Sequence, residues 1–291
     1  MILPILEQIL MFLPLIIGAY ISMSLMKITN FSIESAYLFG AIVAGQALQN
    51  GYSGFFALFI ALISSACAGA LVGVFTALLF EKAKFSDVLS AIITVGFFYG
   101  LAQMVMAGSH ITLSGLYNPL KMCVCFEKYP HLIMMLCVSF LLYVLFMLFL
   151  KTQLGMSCAI YGNNKLFLQN YRMNQSYVVI AGLAISNGLA GISGYMVSQS
   201  NGFVDLYMGM GLPLLCLSSL ILGKSMRGVF RPMQPSVPIL GTMAYFIMQS
   251  VLLKIGFDLR YFTAVQAVIV AAMLLFTSRF FKSSRQDLLG I

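Results

Sequence analysis

Only a few residues of this chain have a type and spacing that could do chemistry, and they point to different kinds. Cys123 and Cys125 lie in a polar stretch between His110 and His131, four side chains able to ligate a metal, yet the spacing fits no zinc pattern. These two cysteines, like Cys67, Cys137, Cys158 and Cys216, read as small packing thiols, and no metal is expected. Leu222-Gly223-Lys224-Ser225 has the ending of a phosphate-binding loop, in which glycine-rich backbone N–H groups cradle phosphate ahead of a lysine. The glycine needed five positions before Gly223 is Ser218, and the preceding run is long and apolar, so Lys224 reads as a charged anchor at the end of a span. No Ser, His and acidic constellation supplies an activated nucleophile. The chain is therefore expected to have no catalytic residues, no cofactor and no nucleotide site of its own.

The carboxylates add to this picture. Burying one in hydrocarbon is expensive, and proteins retain it mainly for coupling. Glu7, Glu34, Glu81, Asp87, Asp205 and Asp258 all fall at or beyond the ends of apolar runs, so the sequence offers no proton or sodium relay. Any transport is then passive or driven from elsewhere.

The elements that must hold these residues are set by composition. Of 291 residues 61% are hydrophobic and 8% charged, with a net charge of +8 and no Trp. A globular domain carries roughly a quarter charged residues, so the solvent of this surface is lipid. That excludes a disordered chain, a basic nucleic-acid binder and a disulfide-stapled secreted module. The apolar runs are continuous where barrel strands would alternate, which selects helices. Runs occur at Ile5 to Met26, Ala36 to Asn50, Gly54 to Phe80, Val88 to Gly108, His131 to Leu150, Tyr177 to Gln199, Met208 to Leu222, Ser236 to Leu253 and Phe262 to Phe280. The fold class is an all-α polytopic membrane protein, one transmembrane domain over residues 1–291 with about nine transmembrane or re-entrant helices.

An odd number of crossings puts the termini on opposite sides. With the N-terminus outside and the C-terminus cytoplasmic, the inner side takes twelve of the 16 Lys and Arg residues, from Lys27 to Arg285, and the outer side keeps Lys121, Lys128, Lys254 and Arg260. The first run has Glu7 and no basic residue before Lys27, so it reads as retained rather than cleaved.

Two runs are short: Ala36 to Asn50 and Met208 to Leu222 hold 15 residues each, about 22 Å of helix against a core of about 30 Å. Gly40 and Gly45 interrupt the first, while Gly209, Gly211 and Pro213 open the second, a pattern of broken or re-entrant helices lining a pathway or of tilted helices in close contact. Amides and hydroxyls at membrane depth need partners or water, which makes Ser35, Gln46, Ser186, Asn187, Ser193 and Gln199 the candidate pathway residues. Each fits helix packing equally well, and Gly188, Gly191 and Gly194 suit close helix contact. The longest inward connection, 151–176, carries Leu166, Phe167 and Tyr171 near helical spacing. It is expected to form a short amphipathic helix that either rests on lipid or docks on a soluble partner.

Several stretches resemble a known family. These are Ile28-Thr29-Asn30-Phe31-Ser32-Ile33-Glu34-Ser35 leading into Phe39-Gly40-Ala41, the Lys151-Thr152-Gln153-Leu154-Gly155 loop with its Gly162-Asn163-Asn164, and Ala184 to Gly194. Gln199 to Gly202, Met208-Gly209-Met210-Gly211 and Leu222-Gly223 extend the match over most of the chain. They resemble the integral-membrane permeases of bacterial ABC importers, in the superfamily of branched-chain amino acid and ribose permeases, and most of all its half-size branch paired with periplasmic binding proteins. The resemblance implies a bacterial inner-membrane subunit that moves a small solute, an amino acid foremost, inward. It implies a second permease copy, as a homodimer or a pair, with cytoplasmic ABC ATPase subunits and an extracytoplasmic solute-binding protein. It further implies that the 151–176 loop couples to the ATPase, through Leu154, Gly155, Gly162, Asn163, Asn164 and Arg172. The loop departs from the family at Ala159, where an Arg is usual, at Asn163, where Asp is common, and near Arg172, where a Gly is frequent. A passive channel or a structural subunit of a membrane complex is the competing reading.

Overall fold

The computed structural model describes residues 2–49, 54–106, 108, 110–113, 130–164, 174–227, 234–254, 264 and 267–268. Helix α1 (Ile2–Ala19) widens into a π-helical turn (Tyr20–Leu25); α2 (Ile33–Gln49), α3 (Gly54–Glu81) and α4 (Asp87–Met106) follow, then strand β1 (His110–Thr112). After it come α5 (Pro130–Lys151), a short α6 (Gln153–Asn163), α7 (Gln175–Asn201), strand β2 (Phe203–Asp205), α8 (Leu212–Arg227) and α9 (Ser236–Lys254). Six helical stretches, Leu3–Leu25, Gly54–Glu81, Asp87–Met106, His131–Lys151, Gln175–Asn201 and Ser236–Lys254, are long and apolar enough to cross a bilayer.

Eight of the expected runs thus correspond to helices, and Phe262 to Phe280 lies almost wholly outside the described residues. Two boundaries need correction. The run placed at Ala36 to Asn50 starts earlier, at Ile33. Met208 to Gly211 is a chain of turns, and α8 starts only at Leu212 and continues through Gly223, Lys224 and Ser225, which are helical and form no loop. The all-α expectation also misses an antiparallel strand pair, with His110 opposite Asp205 and Thr112 opposite Phe203, which closes one end of the bundle. The amphipathic helix expected around Leu166 to Tyr171 lies outside the described residues; the helix found in that connection is α6.

Helix α7 is the axis of the bundle, and its small residues explain why. Gly188, Gly191 and Gly194 recur every third position and keep to one side of the helix. A Cβ at Gly191 would meet the Ser65 carbonyl of α3, one at Gly194 the Tyr37 carbonyl of α2, and one at Gly40 the Gly191 backbone. Gly69 and Gly73 of α3 approach the Asn187 and Leu183 carbonyls in the same way. Where lipid removes any hydrophobic gain from association, such backbone contact is what holds helices together.

Helix α1 packs on another side of α7. Its Pro14 has no N–H to offer the Leu10 carbonyl, and Ser139 of α5 donates to that freed oxygen at 2.6 Å. Outward-facing side chains are apolar: Ile92, Ile93, Phe97 and Met104 on α4, and Phe140, Leu141, Leu145 and Leu148 on α5. The polar groups are turned inward, the arrangement a lipid solvent requires.

Candidate functional site

Between the π-helical turn and α2 the chain leaves helical geometry, and Lys27, Thr29, Asn30 and Ser32 of this break are held by four other helices. Lys27, with φ +55°, donates from Nζ to Asn163 Oδ1 of α6 at 2.9 Å. The Thr29 N–H donates to Asp87 at the start of α4, at 3.0 Å. Asn30 donates to Asn187 Oδ1 of α7 at 2.7 Å, Asn187 donates back to Ser32 Oγ at 2.9 Å, and Ser32 donates to Asn30 Oδ1 at 2.6 Å. Thr76 of α3 donates to the same Ser32 hydroxyl at 2.9 Å. All four side chains are buried. Asn187 is twelve residues into α7, about 18 Å along its axis, so the ring sits well inside the bundle. Non-helical backbone inside a bundle is tolerated only where protein or water satisfies it; here Asp87 accepts from the Thr29 N–H and the Ser22 carbonyl from the Ile28 N–H.

A second interruption meets the first. From Asp205 the chain descends through consecutive turns, with Met208 N–H donating to the Asp205 carbonyl, Met210 to Tyr207 and Leu212 to Gly209. Gly211, at φ +82°, takes the left-handed conformation that side-chain-bearing residues resist. Its N–H donates to the Glu34 carboxylate, which also accepts from the Tyr99 hydroxyl at 3.0 Å. Gly209 packs against the Glu34 carbonyl, where a Cβ would stand 2.7 Å away. Tyr99 is twelve residues into the 20-residue α4, about 18 Å from the Asp87 end. Glu34 is in the first turn of α2, at the end of that run as the sequence suggests, but its carboxylate meets Tyr99 in the interior of the membrane-length α4.

The expected pathway residues divide. Asn187 belongs to the ring, and Ser35 donates to the Ser32 carbonyl beside it at 3.0 Å. Ser186 donates to the Gly18 carbonyl at 2.7 Å and Ser193 to the Met11 carbonyl at 2.7 Å, both tying α7 to α1. Gln199 is buried near the strand end of α7, and Gln46 is exposed, reaching the Val105 carbonyl at 3.4 Å. Three of the six, Asn187, Ser186 and Ser193, are buried and bonded across packed helices. Sequence reasoning missed Asn30, Ser32, Thr76 and Tyr99. Asn30 and Ser32 had a signal, polar residues just ahead of a short span; Thr76, one hydroxyl in a long apolar run, had none.

Helix α6 lies against the same break. Thr152 caps it, accepting from Gly155 N–H at 3.2 Å. Gly155 lies under the Phe149 carbonyl, and Gly162 rests on the Leu25 carbonyl with Met26 beside it. Asn163 holds Lys27, and Asn164 ends the helix by donating to Ile160. Burial pushes the Cys158 thiol up to about 11. Burial, followed by the Glu81 and Asp87 carboxylates, pushes the Tyr161 phenol up to about 12. Leu154 is half-buried, whereas Gln153, Met156 and Asn163 are exposed on a common stripe. Arg172 and the Cys123 and Cys125 pair lie outside the described residues; among those described, no cluster of three metal-ligating side chains occurs.

A bundle of membrane-length helices with two interruptions meeting at depth, and a short helix clamped to one of them, is the architecture of a multi-pass solute permease. The chain belongs to the branched-chain amino acid transport system permease component family, whose model matches residues 1–278. It is 30% identical over 259 residues to the tyrosine transport system permease protein of Clostridioides difficile, covering 88% of this chain and 84% of that protein. An uncharacterized protein of Rickettsia prowazekii is 29% identical over 258 residues, covering 87% and 89%. The autoinducer 2 import system permease protein LsrC of Salmonella typhimurium is 24% identical over 221 residues, 74% of this chain and 60% of LsrC. No solved structure matches. The chain is therefore a multi-pass inner-membrane permease of the ABC-importer family.

Proposed function

We propose that this chain is the membrane-spanning subunit of an ATP-driven importer that carries a small amino acid-like solute from an extracytoplasmic binding protein to the cytoplasm. The N-terminus and the strand pair face outward, and α6 faces the cytoplasm, where it docks on an ABC ATPase; a second permease copy completes the assembly. One observation carries this reading: α6 is fastened through Gly162 and Asn163 to the Leu25–Lys27 break while its Gln153 and Met156 stay exposed. Movement imposed on α6 reaches the Asn30, Ser32 and Asn187 ring through five residues of chain, giving a two-state element that a partner could bias. Among the described residues Glu34 is the one carboxylate that meets a helix interior in this way, and driving energy is assigned to the ATPase. The tyrosine-transporting relative supports an amino acid as cargo.

The test is purification from native membranes in mild detergent, with co-purifying protein assayed for ATP hydrolysis. Wild type should bring an ATPase with it, and Met156→Glu, which alters only an exposed side chain, should release that ATPase while the permease is recovered in normal yield. Recovery of wild type alone under several gentle conditions removes the importer reading and makes solute conductance in liposomes the next measurement.

A further inference from the structure

The Glu34 carboxylate has neutral company. Its two partners are the Tyr99 hydroxyl and the Gly211 N–H, with Gly209 against its backbone, and no described Lys or Arg pairs with it. A carboxylate at this depth that is left without a countercharge is costly and marks a functional position by default. Of the described lysines, Lys27 donates to Asn163, and Lys82, Lys84, Lys151 and Lys254 stand at or near helix ends.

The side chain is also reachable. Glu34 and Tyr99 are only half-buried, and Met210 next to them is exposed. The Tyr99 phenol and the Glu34 carboxylate stand together beside the exposed Met210, where a small molecule would meet both. Both interruptions converge here, so a solute at this point touches the two segments whose geometry can change.

We propose that Glu34, oriented by Tyr99 and Gly211, contacts the ammonium group of the solute during its passage, which restricts cargo to molecules bearing a primary ammonium. This rests on the chain being a permease for such a solute and narrows its class. The contact is a transient ion pair in which no covalent bond is made or broken; Tyr99 and Gly211 hold the carboxylate so that the arriving cation pairs with it.

The experiment has two arms. In proteoliposomes holding the permease with its co-purified ATPase and binding protein, uptake of L-tyrosine, L-phenylalanine and L-leucine is measured. Glu34→Gln should cut uptake of the transported member at least about tenfold, with Glu34→Asp retaining part of it, at equal amounts of assembled ATPase. Wild-type uptake by Glu34→Gln overturns the proposal. The second arm needs no substitution and no ATPase: dicyclohexylcarbodiimide modification of Glu34 in membranes is followed by peptide mass. Each of the three amino acids should be tested against its desamino analogue, and at least one should slow modification where its analogue does not. Equal rates throughout overturn the proposal. Failure of the importer reading looks different, since wild type then shows no nucleotide-driven uptake while the labelling contrast still decides Glu34.

Discussion

Asn187 illustrates how one amide can hold an interrupted helix at depth. Its side chain accepts from Asn30 and donates to Ser32, so both faces of the amide are used. Asn187→Leu strands those partners where no described backbone group replaces it, and a buried polar group left unmet costs about 1–3 kcal/mol. A denaturation midpoint measured in detergent should fall accordingly, whereas Gln46→Ala, which removes one long contact from an exposed side chain, should leave it nearly unchanged. Cys158 reports on the clamp beside this ring. Because its thiol is buried and its thiolate form is favoured only near about 11, little thiolate exists at neutral pH, and N-ethylmaleimide should leave it unmodified in the folded protein. Lys27→Ala or Asn163→Ala loosens α6 and should expose it; unchanged labelling in both variants would show that the 2.9 Å contact does not secure the helix.

Among the elements, α7 is constrained most tightly, because three of its glycines meet backbone rather than flexible side chains. Overfilling such a contact costs about 1–3 kcal/mol or more. Gly191→Val should sharply reduce the yield of folded protein in the membrane, while Gly96→Ala on α4, where the space is open, should be tolerated or mildly stabilising through helix propensity. Equal yields for the two would remove the close-contact account of this helix. The 17 residues of α2 and 16 of α8 span about 25 Å each, short of a bilayer. Their shortness follows from where they begin: each starts at the Glu34 junction instead of at a surface.

For the whole molecule, the orientation proposed from lysine and arginine placement has a direct check. In a cysteine-free background, Thr112→Cys on the strand end should react with a membrane-impermeant maleimide in intact cells treated to open the outer layers, and Lys82→Cys should react only after lysis. Both positions are exposed in the fold. The reverse pattern would invert the molecule, place α6 outside and end the ATPase-docking proposal.

Much of this architecture is legible in the chain alone, since hydrocarbon admits only helices with satisfied backbones and about 20 apolar residues announce each crossing. Eight helical runs, the membrane class, the two short spans and the glycine-bearing contacts of α7 all follow from that one-dimensional rule. Depth does not follow from it. Glu34 looks like a residue beyond a span because hydropathy measures distance along the chain, whereas its level is set by the Asn30–Asn187 and Tyr99 contacts, 157 and 65 residues away. Thr76 and Tyr99 acquire roles only once α3 and α4 stand beside the break. Composition determined that this protein lives in a membrane and runs through it as helices, because transfer energies add residue by residue. Which polar groups face one another at its centre was decided by tertiary packing alone, because hydrogen bonds depend on where helices cross.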